Sequence, residues 1–216
     1  MTAFGDYPLS AVVHAQQSLS IPRPLDFCGE LVVETRVLWV KATRRGAFVG
    51  VRSIAADQLT ATEAVQLTRT IFVKDAHAQD EGTAALNDST VPENRPPDFE
   101  MTGKTSNSQA VLFAQNGDNN PIHLDPVMAR ARGFERPILH GLCTLGIADR
   151  LFSGRSSPAP AGTVMAMRCR FVAEAYPGSK LVAKAWRSRG RLDFQVYSDN
   201  LLVIDHGQMS FSIPGE

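Results

Sequence analysis

The hydrophobic period of this chain changes twice along its length, and that pattern restricts the fold more than any other feature. Across residues 11–75 the apolar side chains follow the period of strands, with β-branched runs at 31–40, 47–54 and 65–73 separated by polar or glycine-containing turns. From Thr105 the spacing becomes helical. Ser106 and Asn107 are placed to cap a helix carrying Ala110, Leu112 and Phe113, which Gly117 ends. Asp125 and Pro126 start a short helix over 127–132, stopped by Gly133, and a longer apolar helix covers 141–152. Strand spacing returns at 163–171, 180–187, 192–198 and 206–213. The strands of 11–75 read as antiparallel, and the helices lie between them and a second block of strands.

Residues 76–100 are rich in Asp, Asn, proline and small side chains, with Pro92, Pro96 and Pro97, and read as a linker. Pro24-Leu25 and Gly29-Glu30-Leu31-Val32 weakly parallel Ala175-Tyr176-Pro177-Gly178 and Ser179-Lys180-Leu181-Val182. The chain therefore divides into a first repeat at 1–75, the linker at 76–100, and a second repeat at 101–216. Only the second has helices ahead of its strands.

Bulk properties remove whole classes of function. Lys and Arg number 22 and Asp and Glu also 22, so no net field recruits nucleic acid or an anionic membrane. Cys28, Cys143 and Cys169 are an odd set without CxxC spacing, as in an intracellular protein with reduced thiols. The first residues lack the basic and apolar regions of a secretory signal, and Ile213-Pro214-Gly215-Glu216 is not a peroxisomal address. No apolar run is long enough to span a bilayer. A cytoplasmic location is expected.

The chemistry concentrates between Gly117 and Thr144. Asp118 and His123 flank an Asn120-Pro121 turn, which lets a carboxylate and an imidazole face one water. Gly141 opens the longer helix, where free backbone amides and the positive helix end can hold an oxyanion, and glycine permits close approach. These are the requirements for adding water across a double bond conjugated to a thioester. Taken singly, each residue has an ordinary role: Asp118 in a helix-ending turn, Asp125 as an N-cap, His123 as a hydrogen-bonded histidine. His140 is expected to fix the chain's entry into the helix, and Cys143 to pack in the core. His123 and His140 lack zinc-ligand spacing and no cysteine joins them, so no metal is expected.

The continuous strings Gly117-Asp118-Asn119-Asn120-Pro121-Ile122-His123-Leu124-Asp125 and Gly133-Phe134-Glu135-Arg136-Pro137-Ile138-Leu139-His140-Gly141-Leu142-Cys143-Thr144 closely resemble the MaoC-like (R)-specific enoyl-CoA hydratases. Asn94-Arg95-Pro96-Pro97-Asp98 and Tyr176-Pro177-Gly178 extend the likeness through the second half, and Val13-His14-Ala15-Gln16-Gln17 carries it into the first. The resemblance implies an α+β double hot-dog fold, antiparallel sheets wrapped on a central helix, with the first repeat lacking its helix. It implies (R)-specific hydration of trans-2-enoyl-CoA or the reverse dehydration. Asp118, His123 and Gly141 fall on the family's catalytic positions, and Asn120 on the residue bracing their turn. Neither metal nor redox cofactor is implied. Coenzyme A, or a carrier protein's pantetheine, is part of the substrate, and a homodimer is expected.

Two departures accompany the likeness. The family's two-repeat members carry a further segment ahead of Val13-His14, large enough for a strand and a helix, so the first sheet is expected to leave an apolar face open. Asp149 stands where some single-repeat relatives have serine, and is left outside the site. Arg168 and Arg170, on one face of their strand, are candidates for coenzyme A phosphates. Rival readings are a biosynthetic dehydratase acting on a carrier-bound or bulky acyl group, and a non-catalytic acyl-thioester binding subunit.

Overall fold

A computed structural model describes residues 7–23, 25, 28–84, 91–92, 95–153, 163–188 and 190–212. Pro24 and Asn94, parts of the repeat and of the family likeness, lie outside the described residues, as do residues 85–90 of the expected linker and Ile213. In chain order the strands are β1 Val12–Ser20, β2 Leu31–Thr43, β3 Gly46–Asp57, β4 Glu63–Lys74 and β5 Phe99–Lys104. Three helices follow, α1 Gln109–Ala114, α2 Pro126–Ala131 and α3 Gly141–Ser153. The chain then forms β6 Val164–Phe171, β7 Lys180–Ser188, β8 Arg191–Ser198 and β9 Leu201–Phe211.

All the strands join one nine-stranded sheet in the order β2-β3-β4-β1-β6-β9-β8-β7-β5, and every neighbouring pair is antiparallel. The two repeats thus fuse through β1 and β6, with Gln16 opposite Arg170 and Ser20 opposite Ala166. Pairing these strands removes an exposed edge from each half. The resulting sheet with one long helix on it is the hot-dog arrangement expected.

The second half wraps α3. Cys143, Leu145, Ala148 and Phe152 are buried against a cluster that includes Met167, Cys169, Leu192, Phe194 and Met209. Phe152 meets Phe194 edge-on at 5.3 Å between ring centres, a packing that adds to the apolar area removed from water. The helix is apolar on one side because its buried residues recur at helical spacing.

Local differences from the sequence reading have physical causes. The helix expected to start beside Ser106 begins at Gln109, because Ser106 Oγ accepts the amide of Ser108 at 3.2 Å and closes a turn instead. β5 begins at Phe99 inside the stretch read as linker, held by Asp98, whose amide donates to Ala185 O at 2.8 Å. β9 starts at Leu201, well before residue 206. Asp199 and Asn200 have φ of 47° and 73°, giving a tight hairpin that sets its register. The polar pair Asp205-His206 hides this strand from the sequence, and His206 sits at φ 52° where β9 bulges opposite β6 and β8.

The first half is covered differently. Among its described residues the one helical element is the 3-10 turn Leu9–Ala11. A smaller cluster of Ala47, Val49, Val51, Ile71, Val73 and Ala76 packs under Tyr7 and Val12. Beyond it the edge strand β2 exposes Leu31, Val33 and Val37, at 49%, 60% and 49% of their surface, the open apolar face expected. Among the described residues no helix is long and apolar enough to cross a membrane.

Gly207 in β9 is required by packing: a Cβ there would lie 2.5 Å from both the ring and the carbonyl oxygen of Phe194, which is fully buried. Gly207→Ala is expected to destabilise the fold by roughly 1–3 kcal/mol through overpacking, measured as a lower urea midpoint at unchanged slope.

Candidate active site

The site begins with a chain reversal that follows α1. Gly117, at φ 101°, donates its amide to Ala114 O at 2.9 Å and turns the backbone so that Asp118 faces an open cavity. Asn120 then fixes the turn. Its Oδ1 accepts from the Ile122 amide at 3.3 Å, and its Nδ2 donates to Leu9 O and Val12 O, each at 3.0 Å. These bonds tie the loop to the entry of β1, across the junction of the two repeats. Pro121–His123 form a 3-10 turn that delivers His123 inward, and Asp125 caps α2 through the amides of Val127 and Met128.

His123 is buried and its Nδ1 lies 2.9 Å from Ile138 O. A carbonyl can only accept, so Nδ1 carries the hydrogen and Nε2 bears the lone pair. His140 is held in the same manner, its Nε2 donating to Asp118 O at 3.0 Å, while its buried Nδ1 has no partner among the described residues. The two imidazoles stack at 3.7 Å between centres and 26° between planes. Donor atoms of Asp118, His123 and His140 all fall within 4.8 Å of one another, a carboxylate and two imidazoles that a metal ion could also engage.

Gly141 follows directly. The first bond of α3 is from the Thr144 amide to His140 O at 3.1 Å, so the amides of Gly141, Leu142 and Cys143 have no intrahelical acceptor. Phe171 closes the approach: a Cβ on Gly141 would lie 3.0 Å from its ring. The cavity has a volume of about 640 Å³ and is lined from both repeats, by His14, Arg69 and Ile71 on one side and Asp118, His123 and Gly141 on the other.

The MaoC like domain model matches residues 88–208 of this chain. The chain belongs to the MaoC-like family. An enoyl-CoA hydratase, ChsH3, of Mycobacterium tuberculosis is 32% identical over 208 residues, covering 92% of this chain and 70% of that protein. A MaoC-like dehydratase from Phytophthora capsici superposes with a TM-score of 0.83 at 26% identity, over 98% of this chain and 72% of that one. Peroxisomal multifunctional enzyme type 2 from Drosophila melanogaster superposes with a TM-score of 0.81 at 30% identity, over 98% of this chain but only 38% of that one. This MaoC-like chain is thus a hydro-lyase of the hydratase/dehydratase family, and it spans well under half of the multifunctional relative.

Burial sets the protonation of the site. Desolvation, and then the neighbouring His140, push His123 down to about 4. His14, from β1, is likewise pushed down to about 4, by burial first and by the Arg69 charge last among the lowering causes. Burial also lowers His140. These imidazoles are neutral at pH 7. Cys143 and Cys169 are raised by desolvation and remain thiols in the core, as expected for Cys143.

Other sequence candidates lie elsewhere in this MaoC-like fold. Arg168 and Arg170 alternate with Met167 and Cys169, which face α3, so both project from the opposite side of the sheet and do not line the cavity. Asp149 accepts from Ser153 Oγ at 3.1 Å near the end of α3 and is also outside the cavity. Conversely, the sequence reading assigned no site role to His14 or Arg69, and only a structural one to His140. His14 stood in a quoted family string; Arg69 carried no local signal, since only strand pairing brings it to the cavity.

Asn120→Ala removes the donor to the carbonyls of Leu9 and Val12 at the part-buried entry to β1, and is expected to cost roughly 1–3 kcal/mol, read from urea unfolding. The pH dependence of stability follows from the histidines. Their folded values, about 4 for His14 and His123, lie below the unfolded 6.5, so the unfolded chain binds more protons between these limits. Stability is complete above pH 6.5 and is lost as the pH falls towards 4, with each histidine contributing on the order of 3 kcal/mol over that window. Thermal unfolding across this range checks it, and His14→Gln should flatten the loss.

Proposed function

We propose that this chain catalyses (R)-specific addition of water to a trans-2-enoyl thioester, and the reverse dehydration. The observation that carries the reading is the convergence of the Asp118 carboxylate and the His123 imidazole on one cavity, beside the unpaired amides at the start of α3. A water placed between them donates one hydrogen to Asp118 and the other to His123 Nε2, leaving an oxygen lone pair free to attack C3. As the C3–O bond forms, the double-bond electrons move onto the thioester oxygen, which the Gly141 amide stabilises. The pair keeps one proton of the water and delivers it to C2, so H and OH are both accounted for. Asn120 keeps Asp118 and His123 in register through its bonds to Leu9 and Val12.

Coenzyme A, or a carrier's pantetheine, enters as the handle of the substrate. The reverse reaction uses the same groups by microscopic reversibility, and a relative named 3-hydroxyacyl-thioester dehydratase Y, from Mycobacterium tuberculosis, is 28% identical over 219 residues.

The test mixes purified protein with a short and a long trans-2-enoyl-CoA and follows loss of the conjugated-thioester absorbance. Asp118→Asn and His123→Gln are each expected to lower kcat by roughly 10²–10⁴ while the fold persists. Chiral analysis of the product should give the (R)-alcohol. Unchanged turnover in Asp118→Asn would sink the mechanism.

A further inference from the structure

Arg69 is the single Lys or Arg lining the cavity among the described residues, and it comes from the repeat whose sheet carries no long helix. Its orientation follows from register. Val37, Val51, Arg69, Gln17 and Cys169 stand opposite one another in turn across β2, β3, β4, β1 and β6, and directly opposed residues project to the same side of a sheet. Cys169 packs in the α3 cluster, so Arg69 rises on the α3 side rather than on the outer face. Its cross-strand neighbours Val51 and Gln17 are both buried, so the base of this side chain stands between buried groups although the residue as a whole is exposed.

Arg69 is exposed and lines the cavity, and its guanidinium forms no hydrogen bond or ion pair among the described residues. The carboxylates that line the same cavity, Asp118 and Glu174, form no ion pair with it, and Glu174 accepts from Tyr176 instead. A planar group with five N–H donors and no protein partner matches the two-oxygen geometry of a carboxylate or phosphate.

We propose that Arg69 is an anion-recognition residue of this cavity, pairing with an anionic oxygen group on the thioester substrate. That group is either a carboxylate on the acyl part or a phosphate of its carrier. The inference rests on the thioester reading of the cavity.

Calorimetric binding of unreactive ligands tests it without turnover. The ligands are a saturated acyl-CoA, the same acyl-CoA ending in a carboxylate, and the uncharged acyl-pantetheine thioester. Arg69→Gln is expected to weaken the anionic ligand at least roughly tenfold more than the uncharged one, with Arg69→Lys recovering part of the loss. Extra loss confined to the carboxylated ligand assigns the acyl carboxylate; equal extra loss for both coenzyme A ligands assigns the phosphate. Equal effects on all the ligands, no effect on any, or a wild type that binds none would overturn the proposal. Wild-type turnover of the enoyl thioesters is scored separately. Its absence would defeat the hydration reading while the binding comparison still decides the role of Arg69.

Discussion

The burial of α3 against the second half of the sheet is the constraint on which the site depends. Cys143, Leu145, Ala148 and Phe152 fix the helix by their apolar contacts. Its first turn can then leave the Gly141 amide unpaired at the cavity, since packing rather than capping holds the helix in place. The same anchoring sets His140, one residue before the helix, under the carbonyl of Asp118. A chain of short contacts thus runs from core packing to the reactive groups.

Desolvation does the electrostatic tuning. His123 and His140 each donate to a backbone carbonyl, which orients the rings and leaves a lone pair on the other nitrogen. Burial keeps them uncharged, and their stacking makes a second positive charge costlier still. A neutral imidazole beside a carboxylate can accept a proton from water, whereas a permanently charged one could not. The acid lability of the fold is the consequence of the same burial.

The two repeats divide the labour. The second contributes Asp118, His123 and Gly141, and the first contributes the opposite wall through His14, Arg69 and Ile71. Asn120 joins them by bonding to the carbonyls on either side of the entry to β1. A first repeat without a long helix among its described residues leaves apolar side chains of β2 exposed. It also leaves Arg69 accessible on the face that α3 covers in the other half.

Much of this was legible in the sequence because it is local. Period and turn chemistry located most of the strands, placed α2 under its Asp125 cap, and gave α3 within a residue. The string from Gly117 to Thr144 brought Asp118, His123, Asn120 and Gly141 together because a tight turn and a helix start lie within one short segment. Tertiary structure alone decided the rest. The fusion of two half-sheets into one, the stacking of His140 on His123, and the arrival of His14 and Arg69 at the same cavity depend on strand register between distant segments. The β1 bulge between His14 and Gln16 illustrates why: one extra residue changes which side chains face the site. Arg168 and Arg170 show the converse. Their shared face was readable from alternation, but only the side on which α3 packs determined that this face looks away from the cavity.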